Sequence, residues 1–265
     1  SVSDLIVMVV DEINASFGEC VLMLDCAGKS NGYLILKNYI TPDQIAPLIK
    51  GTVLERYEVI EEDIVGLRER MLEISVKQSA HLKNHESSGK GVVPVDSNFN
   101  VKGVGVVVLG FVAQGMIKKH DTLKVLPTEK TTQIRSIQKH DDDSDNAIAG
   151  ERVGLALKNI ESEELERGFV LTNDPAIQFA TTVTGKAQLV KYWPTPLKEG
   201  MVLYVGHWMQ FLPTRLEKIT VEGDWRMSVI TLTMEKALVY PPGARVVLHY
   251  LEGGKLRVVG SLAIQ

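Results

Sequence analysis

The chain has 265 residues, of which 45% are hydrophobic and 23% charged. That profile excludes a disordered or collagenous chain, and no apolar run reaches the roughly 18 residues a helical bilayer span needs. Net charge is −4, too acidic for a general nucleic-acid binder, but it is unevenly spread: residues 1–90 carry −5, 91–178 carry −3 and 179–265 carry +4. Only the last third therefore offers an anionic partner a basic surface. Ser1 to Val10 has neither a basic start nor a small-residue cleavage site, and Cys20 and Cys26 fit no disulfide framework or zinc spacing. A reducing, cytoplasmic setting is the expectation.

In chain order, Leu5 to Val10 is a continuous apolar run, the pattern of a parallel strand buried on both faces. Phe17 to Leu24 has helical apolar spacing, Tyr33 to Leu36 is a second buried strand, and Thr41-Pro42-Asp43 opens a helix that continues through Ile45, Leu48 and Ile49. Tyr57 to Ile60 is a short strand. Ile64, Leu67, Met71, Leu72 and Ile74 mark a final amphipathic helix. Strand and helix alternate three times, as in a doubly wound sheet. The unit begins directly with a buried strand, so either residues upstream of Ser1 or another element is expected to cover that edge. We place this α/β unit at residues 1–82 and a polar, Gly/Ser-containing linker at 83–91.

From Val92 the character becomes all-β. Runs at Val104 to Val112, Thr122 to Leu126, Thr131 to Ile137, Val153 to Leu157 and Phe169 to Leu171 alternate with turn residues. A second series follows: Ala180 to Thr184, Ala187 to Tyr192, Met201 to Val205, Phe211 to Ile219, Met227 to Met234, Val246 to Tyr250 and Leu256 to Ile264. Pro194, Pro196, Pro213 and Pro241-Pro242 are expected to interrupt it. Two small antiparallel barrels, 92–175 and 176–265, fit this pattern, because closure removes exposed strand edges.

The stretch Val95-Asp96-Ser97-Asn98-Phe99-Asn100-Val101-Lys102-Gly103-Val104-Gly105, with Gly115 to Leu123, Ala149 to Gly154 and Glu164 to Leu171, resembles domain II of translational GTPases. The Val-Asp-x-x-Phe-x-x-Lys-Gly-x-Gly opening and the Leu-Glu-Arg-Gly ending are most similar to SelB, the selenocysteine-specific relative of elongation factor Tu. Tyr204 to His207 and Leu256 to Ser261 resemble the third domain, and residues 1–82 the second half of the GTPase domain. The resemblance implies a fold class of α/β plus all-β: a partial or degenerate P-loop GTPase-like domain followed by two barrels. It implies a translation-elongation-factor-like protein whose barrels bind the aminoacyl end of tRNA or related RNA. Asp96, Phe99, Gly103, Gly105, Glu151 and Arg152 are the residues it places near that end. A carboxylate such as Glu151 can accept a ribose hydroxyl, or it can simply cap a turn. Gly103, Gly105 and Gly150 equally suit tight turns on their own account. Ser97 stands where SelB proteins carry a larger basic or imidazole side chain, which counts against selenocysteine in particular. Val106 and Leu109 replace threonines common in the family.

The nucleotide motifs are where the resemblance fails. A P-loop needs GxxxxGK[ST] after a strand and before a helix. Gly28-Lys29-Ser30 supplies only the ending; the earlier glycine would be Met23, and a helix precedes while a strand follows. Gly89-Lys90-Gly91 lacks the upstream glycine and the hydroxyl. In place of the guanine-reading Asn-Lys-x-Asp stands Asn38-Tyr39-Ile40-Thr41, which keeps only Asn38. The family's GTP and magnesium are thus in doubt for this chain, GTP hydrolysis by it is not expected, and no catalytic or metal-ligating residue is assigned. The alternative is a non-catalytic adaptor or regulatory protein whose barrels bind a protein partner, such as the ribosome or translation machinery. Neither reading involves a membrane or DNA.

Other constellations are weaker. Asp141-Asp142-Asp143-Ser144-Asp145 reads as a solvated hairpin tip, not a calcium loop. His81, His85, His120, His140, His207 and His249 form no metal pair, and Cys20 and Cys26 read as core-facing helix residues. Trp193, Trp208 and Trp225 suit packing better than RNA stacking.

Overall fold

The computed structural model describes residues 3–83, 90–252, 254 and 256–265; most of the expected linker, with Gly89 and His85, lies outside the described residues. The first unit is β1 (Ile6–Val10), α1 (Ala15–Cys26), β2 (Gly32–Leu36), α2 (Pro42–Ile49), β3 (Glu58–Ile60) and α3 (Ile64–Lys83). The strands form a parallel sheet in the order β1-β2-β3. Phe17 and Val21 of α1 share one cluster with Ile45 and Ile49 of α2 and with Val10 and Leu34 of the sheet. Both helices therefore cover the same face, as right-handed crossovers between sequential neighbours require. Asn14 caps α1 by accepting from Phe17 N at 3.0 Å. Gln44 Oε1 accepts from Thr41 N at 2.9 Å at the start of α2.

Gly28-Lys29-Ser30 is a helix stop. Gly28 has φ +67, and Gly28 N and Lys29 N donate to Asp25 O and Leu24 O at 3.0 Å each. These bonds satisfy the last carbonyls of α1, whereas a phosphate loop presents N–H groups at a helix start.

Two expectations for this unit change. Helix α3 forms, but Ile64, Met71 and Leu72 are exposed, and only Leu67 and Ile74 of its apolar set are half-buried. Arg70 ties it to the sheet, with Nη1 2.8 Å from Glu58 Oε1 and a further contact to Tyr33. Cys20 is exposed, while Cys26 is buried.

The middle barrel comprises β4 (Val92–Val101), β5 (Gly105–Phe111), β6 (Met116–Lys118), β7 (Thr122–Leu126), β8 (Lys130–Lys139), β9 (Asp142–Ser144), β10 (Asn146–Ile148), β11 (Arg152–Lys158) and β12 (Val170–Thr172). The order β11-β5-β4-β12-β7-β8 closes through β11–β8 pairing, with β9 added to β8 and β6 paired to β10 outside the ring. The sequence pattern missed β4, because only its first half is buried. The third barrel is β13 (Gln178–Leu189), β14 (Val202–His207), β15 (Gln210–Val221), β16 (Met227–Tyr240), β17 (Arg245–His249) and β18 (Val258–Ile264), closed in the order β13-β16-β15-β14-β17-β18. Two expected strands fuse into β13, because Gly185 keeps the ladder with Ile230 and Ile264. Pro213 does not interrupt β15; it pairs with Tyr204 inside the strand.

The units are joined by packing as well as by chain. Val92, Leu126 and Val170 of the middle barrel meet Val239 of the third around Ile177. Leu22 and Cys26 of α1 belong to the third barrel's own hydrophobic cluster, beside Leu189 and Val259. Among the described residues, no helix is long and apolar enough to cross a membrane.

Candidate nucleic-acid interface

Asp96 sits where the pairing of β4 with β5 slips by one residue, so that Val95 faces Gly110 and Ser97 faces Leu109. A bulge of this kind leaves one residue unpaired and re-aims its side chain. The carboxylate points to two guanidinium groups: Arg167 Nη2 is 3.3 Å from Oδ1, and Arg152 Nη2 is 4.0 Å from Oδ2. Arg152 begins β11, opposite Phe111. Arg167 lies in the return to β12, and its 67% side-chain exposure leaves donors free for a ligand. One carboxylate between two arginines leaves surplus positive charge on the barrel rim. The motif Leu-Glu-Arg-Gly contains Arg167, but a contact across 71 positions of sequence has no local signal.

Glu151 is held separately. Lys139 Nζ is 3.1 Å from both of its oxygens, and Ile148 N donates to Oε2 at 2.8 Å. It also closes the turn through Glu151 N to Ile148 O at 3.1 Å. The turn-capping contact is therefore present, on the same rim as Asp96. Phe99 is 43% exposed on β4. Gly103 and Gly105 lie at the tip of the β4–β5 hairpin with φ +83 and +97, and a Cβ at either would meet open space. They are needed for the left-handed backbone, not for close approach. Seven residues of extended chain put Gly103 about 20 Å from Asp96. The structure thus gathers Asp96, Arg152 and Arg167, with Glu151 bound to Lys139 at the adjoining turn, Phe99 further along the strand and the hairpin glycines apart.

Asn38 lies in the turn two residues after β2 with φ +52, and its Nδ2 donates to Asp11 O at 3.0 Å, lacing together the segments that follow β1 and β2. Tyr39 follows with φ +61 and is fully exposed. Lys37 pairs with Glu62 at 2.6 Å.

A cavity of about 960 Å³ opens where α1 meets both barrels, with Met23, Phe169, His207, Trp208, Phe211 and His249 among its walls. Burial pushes the His207 imidazole down to about 4 and lowers that of His249, against the pull of Glu19. Both rings are thus neutral near pH 7. His207 Nε2 is buried with no hydrogen-bond partner. Arg167 Nη2 reaches Met209 Sδ at 3.9 Å, and Glu166 pairs with Lys236 at 2.5 Å, so the cavity mouth borders the Asp96 cluster. The sequence assigned neither histidine a place, because burial by a neighbouring barrel leaves no local pattern.

Residues 105–172 match the family model for elongation factor Tu domain 2. An uncharacterised protein of Methanocaldococcus jannaschii is 31% identical over 258 residues, covering 97% of this chain and 79% of the relative. The selenocysteine-specific elongation factor of the same organism is 26% identical over 223 residues, covering 76% of this chain and 47% of that one. Among solved structures, apo translation elongation factor SelB from Methanococcus maripaludis gives a TM-score of 0.79 at 23% identity, covering 100% of this chain and 65% of that one. The chain therefore spans about half the length of the selenocysteine-specific relative and just under two-thirds of the solved SelB chain.

Proposed function

Since the chain belongs to the translational GTPase family and to its SelB-like kind, we propose that it is a cytoplasmic RNA-binding protein of the translation machinery whose middle barrel receives the aminoacyl end of a tRNA or a related RNA end. The observation that carries this reading is the Asp96 cluster. Two arginines bring donors that suit phosphate and ribose oxygens, while the carboxylate between them fixes their direction. Glu151 supplies an acceptor for a ribose hydroxyl on the same rim. The third barrel carries net +4 over residues 179–265 and suits the body of the same RNA.

The mechanism is binding, not chemistry. The residues at the end of β2 do not fit a guanine base. The Asn38 amide is spent on Asp11 O, Tyr39 replaces the lysine, and Thr41 replaces the carboxylate that would read the ring. GTP turnover is not assigned to these residues.

The test compares charged and uncharged tRNA over a salt series. Affinity should fall steeply with salt through counterion release, and charged tRNA should bind more tightly. Equal affinity for the two forms removes the aminoacyl end from the proposal. Salt-independent binding to a protein of the translation machinery favours the adaptor reading. Outside the barrels, the exposed Ile64, Val65, Leu72 and Val76 of α3 offer a protein partner a further apolar surface.

A further inference from the structure

On the side of α1 away from the Asp96 cluster lies a second cavity, of about 850 Å³, between the α/β unit and the third barrel. This is the size range of small-molecule sites. Its floor is apolar, with Phe17 and Leu22 from α1 facing Leu189, Val190 and Leu256. Four cationic side chains stand around it: Lys50, Lys191, Arg226 and Arg245. Among the described residues, none of them forms an ion pair with a carboxylate.

The lining also holds three carboxylates, each accepting from a backbone N–H. Glu19 accepts from Arg257 N at 3.2 Å, Asp25 from Val53 N at 2.9 Å and Asp224 from Arg226 N at 3.0 Å. Arg226 is fixed by stacking, its guanidinium 4.0 Å from the centre of the Trp225 ring, and its Nε is buried with no hydrogen-bond partner. Four cations against three carboxylates leave the lining with a net charge of +1, and an apolar floor beneath that surplus selects a molecule with the opposite arrangement. We infer that this cleft binds an amphipathic organic anion, an apolar body ending in a carboxylate or phosphate, with its head group on Arg226 and Lys191 and its body against Leu22 and Val190.

This inference does not depend on RNA binding, and its test leaves that reading untouched. Full-length protein is titrated with decanoate, with decanol as the neutral comparator and inorganic phosphate as the head group alone, by calorimetry and thermal unfolding. Decanoate should bind at one saturable site per chain and raise Tm, whereas decanol and phosphate should do neither at equal concentration. Arg226→Met should weaken decanoate about tenfold or more, the loss of a charge-assisted hydrogen bond, and Arg226→Lys should restore part of it. Should Arg226→Met fold poorly, Lys191→Met at the exposed rim makes the same test with a several-fold loss. Leu48→Trp, which narrows the mouth, should block binding outright. Decanol binding as tightly as decanoate, full affinity in the Arg226 or Lys191 variant, or no saturable site overturns the inference.

Discussion

The two barrels and the α/β unit solve the same burial problem differently. In each barrel every strand of the ring has two partners, and interior side chains such as Leu155 and Leu232 are fully buried. Among the described residues the edges of the three-stranded sheet pair with no further strand, Val9 is 50% exposed and Ile64 of α3 is 77% exposed. Closure makes a barrel self-sufficient. A small parallel sheet whose second face is only partly covered is not, since such sheets are normally covered on both. Here the α/β unit borrows from its neighbour, sending Leu22 and Cys26 into the third barrel's cluster.

This contrast can be tested by degrees. The largest effect should come from the middle barrel itself: Leu155→Ala should cost about 3 kcal/mol by denaturant unfolding, the usual range for a fully buried leucine. A loss confined to the α/β unit would contradict the barrel's independence. Leu22→Ala should cost about 2 kcal/mol, felt in hydrogen exchange of α1 and the sheet and much less in the middle barrel. The two cysteines report the same event. Burial, with Asp25 adding to it and Arg245 opposing, holds the Cys26 thiol up at about 12, and Cys20 is exposed. Alkylation should modify Cys20 alone in the native protein and reach Cys26 quickly only in the Leu22 variant.

Acid should act next. His207 titrates at about 4 when folded against an ordinary 6.5. The unfolded chain therefore binds more protons between those values, and stability falls as pH drops through that window. The loss should be on the order of 2 kcal/mol, and His207→Asn should flatten it. Asp96→Asn should change stability by less than about 1 kcal/mol, as for other exposed ion pairs, yet tighten uncharged tRNA by unmasking Arg152 and Arg167. The smallest effect belongs to the exposed helix face: Leu72→Ser should shift unfolding by no more than about 0.5 kcal/mol. A large loss there would mean that another element normally covers α3.

What could be read from sequence divides along a physical line. Elements whose own residues carry a continuous or periodic apolar pattern were legible: β1, β2, α1 and most barrel strands. Strand β4 was not, because Pro94 and the polar run Asp96 to Asn98 hide a strand that is half on the surface. Asp96 and Arg152 were visible as motif residues, but their meeting with Arg167 depends on barrel closure. Pro213 misled because it sits at a ladder position that its missing donor does not prevent. Cys20 and Cys26 look alike on one helix; only the barrel beneath α1 makes them different.

That seat of α1 on the third barrel makes the molecule a circuit. The polypeptide runs from the first unit through the middle barrel to the last, and the last returns to touch the first. Trimming the chain back to its first two units would not yield a shorter protein with the same beginning. It would strip the opening segment of the wall it leans on, so dissecting this protein from its C-terminal end should damage the N-terminal end first.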